Sequence, residues 1–100
     1  MNLKEVTYKD VIKAQKAGFC VTLIDVREKY EYEDGHLSGS INVPMDEVID
    51  YLKQRKNPDG EQKVIYCNTG RRSKPVVYML NKLENINAFN LMEGYKKLSE

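Results

Sequence analysis

The spacing of apolar positions changes period along this chain, and each change predicts an element. Residues 4–6 read as a short strand. Over 8–17, Val11, Ile12 and Gln15 fall on one helical face; Thr7 stands at the N-cap, Asp10 completes a capping box, and Gly18 suits the position after the last turn. Residues 19–26 form an almost unbroken apolar run, the mark of a strand covered on both faces. Residues 27–39 are polar and broken by Gly35 and Gly39, which predicts a loop with room for one helical turn. A strand over 40–43 stops at Pro44, and a helix over 46–54 directs Val48, Ile49 and Leu52 inward. Asn57-Pro58-Asp59-Gly60 is a turn signal. A buried strand over 63–66 ends at Cys67. After a loop over 68–72, Val76, Val77, Leu80 and Leu83 take helical spacing from Ser73, with Pro75 in the first turn, where a missing N–H costs nothing. A last strand is expected over 87–91, and Gly94 marks a turn before a short terminal helix.

Strands alternating with helices predict an α/β fold with a central, mostly parallel sheet between helical layers. Ligands of such folds bind beyond the carboxyl ends of the strands, and Cys67 lies at one of those ends. With 100 residues, one domain over 1–100 is expected, and Leu, Ile, Val and Phe make up a quarter of the chain, enough for a modest core. The 16 basic and 15 acidic side chains nearly cancel, which argues against a general nucleic-acid or membrane-surface binder. No run is long enough for a membrane-spanning helix, and the start has no apolar signal core, so a cytoplasmic protein is expected. In that compartment Cys20 and Cys67 stay reduced; the absence of C-x-x-C excludes a thioredoxin-type dithiol.

Candidate chemistry concentrates in Cys67-Asn68-Thr69-Gly70-Arg71-Arg72-Ser73, which sets a thiol between a buried strand and a helix N-terminus. Free N–H groups and the helix dipole there favour negative charge and lower a thiol pKa, as a cysteine nucleophile requires. Gly70 lets the loop curl so that successive amides point inward. Arg71, Arg72 and Lys74 add positive charge with no acid among them, whereas residues 25–36 hold five acids against two bases. The bland reading of Cys67, a small apolar residue finishing a strand, loses to this context. Nothing comparable surrounds Cys20, in its apolar run, and it reads as structural.

The same residues resemble the single-domain rhodanese, or thiosulfate sulfurtransferase, family. The cysteine segment is similar to that family's C-x-x-G-x-R-S loop. Ile24-Asp25-Val26-Arg27-Glu28, then Tyr32 and the run from Gly35-His36-Leu37 to Asn42-Val43-Pro44, resembles its D-V-R-E … G-H-I-x-G-A-x-N-I-P signature. The resemblance implies a rhodanese-like three-layer fold with a five-stranded sheet. It implies that Cys67 takes a sulfane sulfur as a persulfide and passes it to an acceptor. The amides of Asn68, Thr69, Gly70, Arg71 and Arg72 would cradle the sulfur, the Arg71 and Arg72 side chains would hold an anionic donor, and Asp25, Arg27 and Ser73 would support the site. It implies a small anionic sulfur donor, a thiol acceptor and no cofactor; a sulfur-relay protein is a further partner, and the chain would be a monomer or weak dimer. The chain departs from the family in Glu93-Gly94-Tyr95, where a Gly-Gly pair and Trp are usual, and in Lys74-Pro75 after the loop.

Rival chemistries fare worse. His36, the only histidine, reads as a turn-stabilising residue, because a preformed thiolate needs no base. Cys20, His36 and Cys67 lie too far apart in sequence for a metal site. The acidic stretch 28–34 reads as a solvated face, and the scattered tyrosines form no stacking platform. A cysteine phosphatase is expected to carry C-x5-R, whereas Arg72 makes the spacing here C-x4-R. The remaining alternative is a non-enzymatic persulfide carrier or interaction module fed by a partner protein.

Overall fold

Parallel strands cannot be joined by tight turns, so each needs a crossover, and the alternation seen in the sequence meets that need. The computed structural model describes residues 4–55 and 59–99. In chain order the elements are β1 (Glu5–Val6), α1 (Tyr8–Lys16), β2 (Val21–Asp25), α2 (Lys29–Asp34), β3 (Ile41–Asn42), α3 (Val48–Gln54), β4 (Gln62–Tyr66), α4 (Ser73–Lys82), β5 (Ala88–Leu91) and α5 (Gly94–Leu98). The sheet has five strands in the order β1-β5-β4-β2-β3, and its pairings are parallel. In register, Ile24 lies opposite Ile65 and Asp25 opposite Tyr66, so β2 and β4 end level with each other.

Successive strand residues face opposite sides, and the two faces build two cores. Ile24, Val26, Ile65 and Cys67 pack with Val48 and Leu52 of α3 and Val76, Val77 and Leu80 of α4. Leu23, Val64, Tyr66 and Leu91 pack with Val11 of α1, and Tyr95 and Leu98 of α5 lie against them. The predicted three-layer α/β architecture is therefore present. The start of α1 follows its sequence signal in full: Thr7 Oγ1 accepts from the Asp10 N–H at 3.1 Å, and Asp10 Oδ2 accepts from the Thr7 N–H at 2.9 Å.

Several local expectations are corrected. The single helical turn expected within 27–39 is a six-residue helix over 29–34, whose Glu31 Oε1 accepts from the Glu28 N–H at 3.0 Å. The apolar run at 19–26 is strand only from Val21; Phe19 and Cys20 are exposed, so Cys20 is not a core residue. Gln15 is exposed, and Leu83 lies beyond the end of α4 with two-thirds of its surface in solvent. Of the expected turn at 57–60, Asp59 and Gly60 are in a turn, while Asn57 and Pro58 lie outside the described residues. Among the described residues, no helix is long and apolar enough to cross a membrane.

The central strand β4 carries the site residue at its end, and its side chains have no accessible surface at Ile65, Tyr66 and Cys67. Ile65→Ala removes three carbons from that fully packed position, so we expect a loss of about 2–5 kcal/mol of stability, measured by urea denaturation. A cost under 1 kcal/mol would show that the core around β4 collapses into the space.

Candidate active site

Cys67 follows β4 directly, and the chain then makes one tight loop before entering α4. The carbonyls of that loop are turned outward and bound: the Tyr95 N–H donates to Cys67 O, and the Lys96 N–H donates to Asn68 O, both at 2.9 Å. With these carbonyls satisfied by α5, the loop amides are left to face the sulfur. The Gly70 N–H donates to Cys67 Sγ at 3.1 Å, and Gly70 holds φ at +86°, a conformation that favours glycine. Gly94 has φ +73°, and a Cβ there would stand 2.6 Å from Asn68 O, so only glycine lets α5 approach this closely.

Burial pushes the Cys67 thiol up, but the Ser73 hydroxyl and the amides of Ser73, Thr69 and Arg72 outweigh it, and the thiol lies below its ordinary value. The first turn of α4 adds its dipole in the same direction. The Ser73 hydroxyl has one proton for three acceptors: Asn90 Oδ1 at 2.5 Å, Gly70 O at 3.2 Å and Cys67 Sγ at 3.4 Å. Amide protons are not shared in this way, so they hold the sulfur whatever the hydroxyl does.

Asp25 and Arg27, from the end of β2, form a buried pair beside the loop. Asp25 Oδ2 accepts from Arg27 Nη2 at 2.7 Å and Oδ1 from the Arg27 amide at 2.9 Å. Arg27 Nη2 also donates to Gly35 O at 2.7 Å, and its guanidinium stacks 4.4 Å from the Tyr95 ring. Burial lowers the Arg27 pKa, but its bonds to Asp25 prevail and keep it raised. Nε and Nη2 of Arg27 thus tie β2 to the end of α2, and the face of the guanidinium meets α5.

Arg71 and Arg72 differ sharply. Among the described residues Arg71 makes no ion pair, and its side chain is exposed. Arg72 is gripped by Glu31 of α2, with Nη1 and Nη2 each donating to one carboxylate oxygen at 3.0 Å. That pair holds the Glu31 carboxyl below the usual range. The expectation of a purely solvated acidic face over 28–34 is corrected at this residue. His36 donates from Nδ1 to Tyr32 O at 2.7 Å and stacks on the Tyr32 ring, which fits its reading as a turn residue.

Three contributors escaped the sequence reading. Glu31 is one of five acids between residues 25 and 36 and carries no distinguishing signal. Asn90 links Ser73 to Glu5, and its polar side chain inside the apolar strand 88–91 was a usable hint. Tyr66 closes a buried ring: the Leu37 N–H donates to its hydroxyl at 3.1 Å, the hydroxyl donates to Ser40 Oγ at 2.9 Å, and Ser40 donates to Leu37 O at 2.7 Å. Burial pushes the Tyr66 pKa up to about 12, so the ring stays neutral. Among the described residues, no three His, Cys, Asp or Glu side chains are grouped to hold a metal ion.

A parallel α/β sheet whose central strand leads into a lowered-pKa thiol, ringed by amides at a helix N-terminus, defines a candidate site for cysteine chemistry. The chain belongs to the rhodanese-like domain family, which it matches over residues 7–100. It is 40% identical over 77 residues to the Bacillus subtilis protein YqhL, covering 75% of this chain and 58% of that one. It is 32% identical over 60 residues to the Escherichia coli thiosulfate sulfurtransferase PspE, covering 60% of this chain and 58% of that one. The chain therefore spans a little over half the length of each of these relatives. The rhodanese-like domain protein of Staphylococcus aureus superposes with a TM-score of 0.78 at 28% identity, over 92% of this chain and 87% of that structure.

The thiol pKa is checked by thiolate absorbance in a Cys20→Ser background. The titration midpoint should fall below the ordinary cysteine range and move upward in Ser73→Ala. An unmoved midpoint would mean that Ser73 spends its proton on Asn90 and that the amides alone hold the charge.

Proposed function

We propose that this protein is a sulfurtransferase that carries sulfane sulfur as a persulfide on Cys67, taking it from an anionic donor such as thiosulfate and giving it to a thiol. The observation that carries this reading is the Cys67 sulfur itself: a buried thiol held below its ordinary pKa by main-chain and Ser73 donors. The sulfurtransferase relative and the family membership support it.

In the first half-reaction the Cys67 thiolate attacks the outer sulfur of thiosulfate. A new S–S bond forms, the old one breaks, and sulfite leaves with its electron pair. In the second, an acceptor thiolate attacks the outer sulfur of the Cys67 persulfide. The acceptor leaves as a persulfide, and Cys67 returns as thiolate. No external oxidant or reductant enters the balance. The amides of Asn68, Thr69, Gly70, Arg71 and Arg72 receive the charge as it moves from one sulfur to the next, which requires no reorganisation of the loop. Arg71 and Arg72 hold the donor oxyanion, and Asp25, Arg27 and Ser73 keep the loop in shape.

Intact-protein mass after brief incubation with thiosulfate tests the reading. We expect a gain of one sulfur atom, about 32 Da, reversed by reductant and absent in Cys67→Ser. No gain from thiosulfate, together with a gain from a protein persulfide, would favour a carrier fed by a partner. No gain from either would sink the mechanism.

A further inference from the structure

Arg72 belongs to the cysteine loop and Glu31 to α2, yet the carboxylate takes both terminal nitrogens of the guanidinium. A bidentate carboxylate presents two oxygens in the plane of the fork, the same arrangement an oxyanion ligand would use. Glu31 also lines a cavity of about 430 Å³ with Arg27, Tyr95 and Asn68, the residue immediately after Cys67. The carboxylate that occupies Arg72 thus also borders the cavity beside Asn68, although Cys67 and Arg72 do not line it. The Arg72 charge is felt by the Cys67 sulfur as well, so the pair and the thiol share one electrostatic environment.

We propose that Glu31 is a specificity-determining residue that occupies the anion position of Arg72, so that a strongly anionic donor engages Arg72 only by displacing it. This rests on the reading above that Arg72 receives the donor. Both partners keep part of their side-chain surface in solvent, 38% for Arg72 and 20% for Glu31, so the pair is exchangeable rather than permanent. The Asp25–Arg27 pair, almost wholly buried, is not. A dianion such as thiosulfate meets the cost of displacing Glu31 and, on entry, the repulsion of its charge. A donor with less charge and a larger body avoids both by leaving the pair closed. Arg71, exposed and with no ion pair among the described residues, is a cation open to any donor.

The direct test is thiosulfate binding by calorimetry on Cys67→Ser protein, where no transfer interferes, with and without Glu31→Gln. Neutralising Glu31 keeps an acceptor oxygen for the Glu28 amide, which the carboxylate binds at 3.0 Å. Thiosulfate should bind about two- to fivefold more tightly to the Gln variant, the scale of an exchangeable ion pair. Glu31→Asp, which keeps the charge, should bind it more weakly than the Gln variant does. In turnover with Cys67 present, the thiosulfate KM should fall by a similar factor while the acceptor KM stays. Unchanged or weaker binding in Glu31→Gln would overturn the proposal and make Glu31 a brace for Arg72; so would no binding to either protein. If the tightening occurs but wild type gains no sulfur, the transfer reading falls and the competition at Arg72 stands.

Discussion

An anionic sulfur buried at the end of a strand is tolerable only where hydrogen-bond donors surround it, and that requirement organises the rest of this structure. Main-chain donors are the most economical solution, because they bring no charge of their own and lose no side-chain freedom. They point at the sulfur only if the neighbouring carbonyls point elsewhere and find partners there. Here α5 supplies those partners through the amides of Tyr95 and Lys96. The close approach this demands leaves no room for a side chain at Gly94. A short terminal helix, far from the cysteine in sequence, thus does as much for the loop as the residues inside it.

The charges near the site divide into two kinds. Asp25 and Arg27 are locked by burial and by bonds on all sides; removing either partner would strand a charge in the interior. They define shape. Arg72 and Glu31 meet at the edge of solvent, where such pairs contribute at most about 1 kcal/mol. That difference separates scaffolding charges from charges that a ligand can address, although both pairs consist of an arginine and a carboxylate.

The fold was largely legible because its signals are local. The capping box at Thr7 and Asp10, the buried runs of β2 and β4, and the periodic Val76, Val77 and Leu80 each mark an element without reference to the rest of the chain. The thiol's setting was equally visible, since strand, glycine and helix start follow one another within a few residues. What escaped depends on distant partners. Glu31 looks like its acidic neighbours until α2 lies against the loop, and Cys20 looks buried until β2 begins one residue later. Leu83 continues the helical spacing, but α4 has ended before it. Periodicity records which face a side chain takes, and the partner on that face is decided by topology.

The sheet order has a temporal consequence. β1 pairs with β5, and Glu5 reaches Asn90, which in turn holds Ser73 beneath the sulfur. The loop's outer carbonyls wait for α5 as well. Residues before and after Cys67 in sequence must therefore both be in place before the loop takes its form. Until those segments pack together, the amides and the Ser73 hydroxyl that lower the Cys67 thiol are not held against the sulfur. The lowered thiol pKa is thus a property of the closed sheet and not of the cysteine segment alone.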